Sequence, residues 1–76
     1  MAERIIINSN ILQGKPIIKG TRISVEFILE LLASGIGTEE ILKEYPSLKK
    51  EDILAALHYA TDVLKQEEIY PIPEIL

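Results

Sequence analysis

Apolar residues fall along this chain in two rhythms. Ile5, Ile6 and Ile7 form an unbroken β-branched run bounded by Asn8-Ser9-Asn10, which predicts a short strand followed by a turn. Ile17 and Ile18 make a second strand candidate inside KPIIKG, with Gly14 and Gly20 where the chain must turn. Pro16 has no N–H to give a ladder, so it belongs at the strand start or on an edge. Two strands this short are stable only when packed on something larger.

From residue 24 the period changes to that of a helix. Ser24 can cap a first helix with Glu26 in its first turn, and Val25, Ile28, Leu29 and Leu32 recur at helical spacing, widened by Leu31. Gly35 sits where such a helix ends. Thr38 is placed to cap a second helix, TEEILKEY, which has Glu39 and Glu40 in its first turn and Pro46 just past its end. The third, KKEDILAALHYATDVLKQ, puts Ile53, Leu57, Ala60 and Leu64 on one face with Leu54 and Thr61 flanking it. Glu51, Asp52 and Asp62 read as its solvated side. The last segment, EEIYPIPEIL, has two prolines and alternating apolar positions, so it reads as extended. The expected fold is mainly α: a three-helix bundle of helix-turn-helix type with a short N-terminal β-hairpin, as one domain over residues 1–66, followed by an extended tail at 67–76.

Size and charge narrow what such a fold can do. A chain of 76 residues buries only about 60% of its unfolded surface. With 47% hydrophobic residues and a mean hydropathy of +0.19 it has more apolar material than a small monomer hides, which predicts a homodimer. There is no cysteine, so no disulfide framework and no thiolate metal site. The start lacks a long apolar stretch and no run approaches the ~20 residues of a membrane span, so the expectation is a cytoplasmic protein without a membrane partner. Residues 1–22 hold Arg4, Lys15, Lys19 and Arg22 against Glu3, a net of +3. Residues 23–76 hold four lysines against eleven acids, and the whole chain carries −4. Binding of nucleic acid by charge alone usually needs a basic protein, so here it would have to be local.

Candidate chemistry is sparse. The single histidine, His58, has Leu54 and Asp62 one turn away on either side, and no cysteine or second histidine completes a nucleophilic or metal set. The reading is therefore of a non-enzyme without cofactor or metal. GKPIIKGT resembles a phosphate loop only superficially, because its lysine precedes the second glycine and its middle is strand-like. The candidate contacts with nucleic acid or a partner are Lys15, Lys19 and Arg22 on the hairpin and Lys49 and Lys50 at the start of the third helix. Glu51 and Asp52 follow those lysines directly, and no Arg, Asn or Gln stands there to read a base edge. Arg22 is a poor partner for a helix N-terminus and should seek a carboxylate, such as Glu44, or a phosphate. In the tail, Ile69, Tyr70, Ile72, Ile75 and Leu76 either pack back on the domain or a dimer mate, or form a partner-binding arm.

GKPIIKGTRISVEFILELLASG followed by TEEILKEYPSLKKEDILAALHYA resembles the small prokaryotic domain-of-unknown-function family numbered four-thirty-three, over roughly residues 5–62. Gly14, Lys15, Pro16, Gly20, Thr21, Arg22 and Ile23 match its first motif, and Tyr45, Pro46, Leu48, Asp52 and Ile53 its second. The resemblance implies a helix-turn-helix core of homeodomain-like or winged-helix-like kind. It also implies a VapB-type antitoxin of a toxin–antitoxin system that neutralises a PIN-like ribonuclease toxin, with operator DNA as a further ligand. A free-standing DNA-binding regulator and a structural dimeric adaptor are the alternatives. Two departures stand out: Lys49 replaces the usual Thr or Ser cap of the third helix, removing about 1 kcal/mol, and Lys19 replaces an arginine, removing planar bidentate recognition.

Overall fold

The computed structural model describes residues 4–66 of the chain. The tail residues Ile69, Tyr70, Ile72, Ile75 and Leu76 lie outside these described residues. Two strands, β1 (Ile5–Ile7) and β2 (Pro16–Ile18), are followed by three helices, α1 (Val25–Ala33), α2 (Thr38–Glu44) and α3 (Lys50–Gln66). The expected hairpin and three-helix order are therefore present. The strands pair antiparallel, Ile5 opposite Ile18 and Ile7 opposite Pro16, which places the proline first in its strand.

Each boundary has a local cause. Ser24 Oγ accepts the Phe27 N–H at 2.9 Å and opens α1. Its end is a Schellman motif: Gly35 adopts φ +92°, its N–H reaches the Leu32 carbonyl, and the Ile36 N–H reaches Leu31. At α2 the cap differs from expectation. Thr38 is the first helical residue and Gly37 precedes it as the cap, with no side chain to give; Glu40 Oε1 instead accepts the Gly37 N–H at 3.3 Å. Leu48 turns the chain from α2 toward α3 and is itself buried, its N–H bonded to the Tyr45 carbonyl. The Tyr45 ring meets Phe27 edge-on at 5.6 Å, pinning the end of α2 to α1. Tyr45 and Leu48 of the second motif thus hold the fold together.

Most of the first motif is structural as well. Gly20 has φ +83° in the turn after β2, a conformation that disfavours a side chain. Thr21 closes that turn: its hydroxyl donates to the Ile18 carbonyl at 2.8 Å and accepts the Ile23 N–H at 2.9 Å. Thr21→Val, which keeps the shape and removes both bonds, is expected to cost about 1–2 kcal/mol in urea denaturation. Between the strands, Leu12 (φ 49°) and Gln13 (φ 58°) both lie in the left-handed region ahead of Gly14. Each non-glycine residue there costs about 1–2 kcal/mol. The Gly14 N–H to Ile11 and Lys15 N–H to Leu12 bonds hold this strained turn in place.

The core is built from Ile18, Val25, Ile28, Ile41, Leu48, Ile53 and Ala56, so all three helices and β2 contribute. Here α3 departs from the expected face. Its buried side is Asp52, Ile53 and Ala56, while Leu54, Leu57 and Leu64 are 48%, 43% and 55% exposed. Apolar residues run more than halfway round this helix, and the bundle covers only one side of them.

Candidate functional site

Subtracting the residues that the fold consumes leaves a short set of chemically distinctive side chains. Of the five basic candidates, Lys15 and Arg22 come together. Lys15 stands just before β2 and Arg22 just before α1, and both line a cleft of about 630 Å³. The strained turn supplies Leu12 and Gln13 to one side of this cleft, and α1 supplies Glu26 and Glu30 to the other. Lys15 Nζ lies 3.1 Å from Glu26 Oε1, with both side chains more than half exposed. Such a pair adds little stability, and it leaves the cleft with mixed charge. Arg22 is exposed, and among the described residues it makes no ion pair; the expected carboxylate, Glu44, is not joined to it.

Lys19, Lys49 and Lys50 do not line this cleft. Lys19 is exposed in the turn after β2, where its backbone N–H bonds to the Arg4 carbonyl at 2.8 Å. Lys49 and Lys50 are exposed at the start of α3. Of the five basic candidates, Lys15 and Arg22 alone line this cleft.

The largest departure from the sequence reading is Asp52. Expected on the solvated side of α3, it is only 5% exposed. Its Oδ1 accepts from Arg4 Nη1 at 2.8 Å, and its Oδ2 accepts the Lys49 N–H at 2.8 Å. That second bond is half of a capping box, supplied by the third helical residue in place of the cap side chain that Lys49 lacks. The missing cap is thus offset from inside the helix, and α3 begins at Lys50. Arg4 is committed to this pair, which removes one cation from the basic N-terminal third.

A second groove of about 650 Å³ runs between β1 and α3, with Ile5, Leu54, His58 and Tyr59 on its walls. His58 is exposed there, near Glu51 and Asp62. Among the described residues no three His, Asp or Glu side chains gather to hold a metal, and no helix is long and apolar enough to cross a membrane.

Comparison with known proteins gives three findings. The profile of a family described as a protein of unknown function, DUF433, matches residues 5–60. An uncharacterized protein, y4eO of Sinorhizobium fredii (strain NBRC 101917 / NGR234), is 39% identical over 61 residues, which is 78% of this chain and 28% of that protein. A crystal structure of a DUF433 member protein from Anabaena variabilis ATCC 29413, at 2.00 Å resolution, matches with a TM-score of 0.78 and 33% identity. That match covers 84% of this chain and 63% of the other. The chain spans less than two thirds of the length of either relative.

Proposed function

The chain belongs to the DUF433 family of proteins of unknown function, and from that premise we propose that it is a protein-binding module, the antitoxin of a toxin–antitoxin pair. Its partner would be a PIN-like ribonuclease toxin, with operator DNA as a secondary ligand of a helix-turn-helix formed by α2, the Tyr45–Lys49 turn and α3. The observation that carries the protein-binding part is the mixed-charge cleft, lined by Lys15, Arg22, Glu26 and Glu30 together with apolar Leu12 and Phe27. Interspersed charge around an apolar strip suits another protein's surface, where each sign finds its complement. A phosphate backbone would be repelled by the two acids. The antitoxin part rests on the resemblance of the two motifs to VapB-type proteins.

A DNA-binding regulator is the second reading, favoured by the helix order and by Lys49 and Lys50 at the front of α3. Against it stand the net charge of −4 and Glu51 beside those lysines.

Co-expression with the protein encoded by the neighbouring gene tests the proposal. The full-length chain is expected to co-purify with it stoichiometrically. Arg22→Glu is expected to weaken capture roughly tenfold by slowing association, with a nearly unchanged melting temperature because Arg22 is exposed and its side chain makes no hydrogen bond or ion pair among the described residues. No co-purification, together with DNA binding that falls steeply with salt, would favour the regulator instead.

A further inference from the structure

We propose that two copies of the chain associate through α3, packed antiparallel along the row Leu54, Leu57, Thr61 and Leu64. This goes beyond the antitoxin reading and does not depend on it. The spacing along that row is three, four and three residues, the interval of a coiled-coil seam. At 3.6 residues per turn it lies about a third of a turn from the buried side formed by Asp52, Ile53 and Ala56. Its three leucines are about half exposed, and Thr61 enters with its hydroxyl already donating to the Leu57 carbonyl at 3.0 Å. A seam of two heptads is too short to fold isolated peptides. Here α3 is already built into a domain, so association need not supply the cost of forming the helix.

Charge chooses a second copy as the occupant and sets its direction. Lys50 continues the seam at its N-terminal end, and Glu51 and Lys65 flank it at opposite ends of the helix; all three are exposed. A parallel pair would set Lys50 against Lys50 of the second copy. An antiparallel pair brings each Lys50 to the carbonyl end of the facing helix, where the dipole is negative. It also brings each Glu51 opposite Lys65 of the second copy, forming the same pair at both ends. In the heptad frame of Leu54, Glu51 and Lys65 occupy the same flanking position, and such positions meet across an antiparallel seam.

Analytical ultracentrifugation of the full-length chain over a concentration series, with far-UV circular dichroism to check folding, tests the proposal. The chain is expected to dimerise reversibly, and Leu57→Glu to weaken dimerisation roughly 100-fold while remaining helical. Because Leu57 is partly buried, charge reversal gives the second measurement. Glu51→Lys alone and Lys65→Glu alone are each expected to weaken dimerisation roughly tenfold, and the double reversal to restore it. Within one helix the two residues are about 21 Å apart, beyond the range of screened charges, so rescue can arise only between chains. A full-length chain that stays monomeric overturns the proposal, as does one that dimerises only after truncation at Gln66, which would assign the seam to the chain's own tail. Dimerisation indifferent to Leu57→Glu, or a double reversal without rescue, overturns it equally.

Discussion

Ile28→Ala is expected to destabilise the domain by about 2–5 kcal/mol, read as a fall in the midpoint of urea denaturation with an unchanged slope. Ile28 is fully buried on α1 at the centre of the core, among residues drawn from β2, α2 and α3. Truncation removes its transfer free energy and leaves a cavity that the short elements around it cannot close. The total stability of a 76-residue domain is about 4–11 kcal/mol, so the loss is a large share of the whole. A melting temperature lower by about 10 °C or more is the corresponding thermal result. Ile28→Val, which keeps most of the volume, should cost only about 1 kcal/mol. A small effect of Ile28→Ala would mean that the three helices do not share one core.

Asp52→Ala should rank next, at about 2–4 kcal/mol. The figure combines a charge-assisted hydrogen bond to Arg4 with the loss of the bond that caps α3 from within. Both bonds are 2.8 Å and end on a nearly fully buried carboxylate. Arg4→Ala should cost less, about 1–2 kcal/mol, because the Arg4 side chain is 42% exposed and Asp52 retains the Lys49 N–H. A double-mutant cycle on the two positions isolates their coupling, expected at about 1 kcal/mol. If Asp52→Ala changes stability by less than about 0.5 kcal/mol, the carboxylate behaves as an ordinary surface group and its structural role is lost.

Asp52 also marks the limit of what periodicity reveals. The strands, the three helices, the Ser24 cap and the Gly35 terminus follow from local signals, and each lies within a residue or so of its expected place. The face that α3 buries does not. Ile53, Leu54, Ala56, Leu57, Ala60 and Leu64 cover so much of the helix that no stripe stands out, and the covered side depends on where α1 and α2 lie. Asp52, inside Lys49-Lys50-Glu51-Asp52, looks like any surface acid, and its partner Arg4 is 48 residues away in sequence. The left-handed backbone at Leu12 and Gln13 carries no glycine or asparagine to announce it.

The candidate site was legible to a similar degree. Lys15 and Arg22 flank a strand and a turn whose geometry the motif dictates, so their meeting on one cleft follows from local structure. Lys49 and Lys50 sit at a helix front whose position relative to that cleft is set by tertiary packing.

The separation of Arg4 and Asp52 also governs how the molecule comes apart in time. The turns and helix caps close over a few residues, whereas this bond joins positions 48 residues apart and is expected to form late in folding. An interaction absent from the folding transition state acts almost wholly on the rate of unfolding. The bond therefore works as a latch on the first strand: its removal leaves the speed of folding nearly unchanged and shortens the lifetime of the folded state.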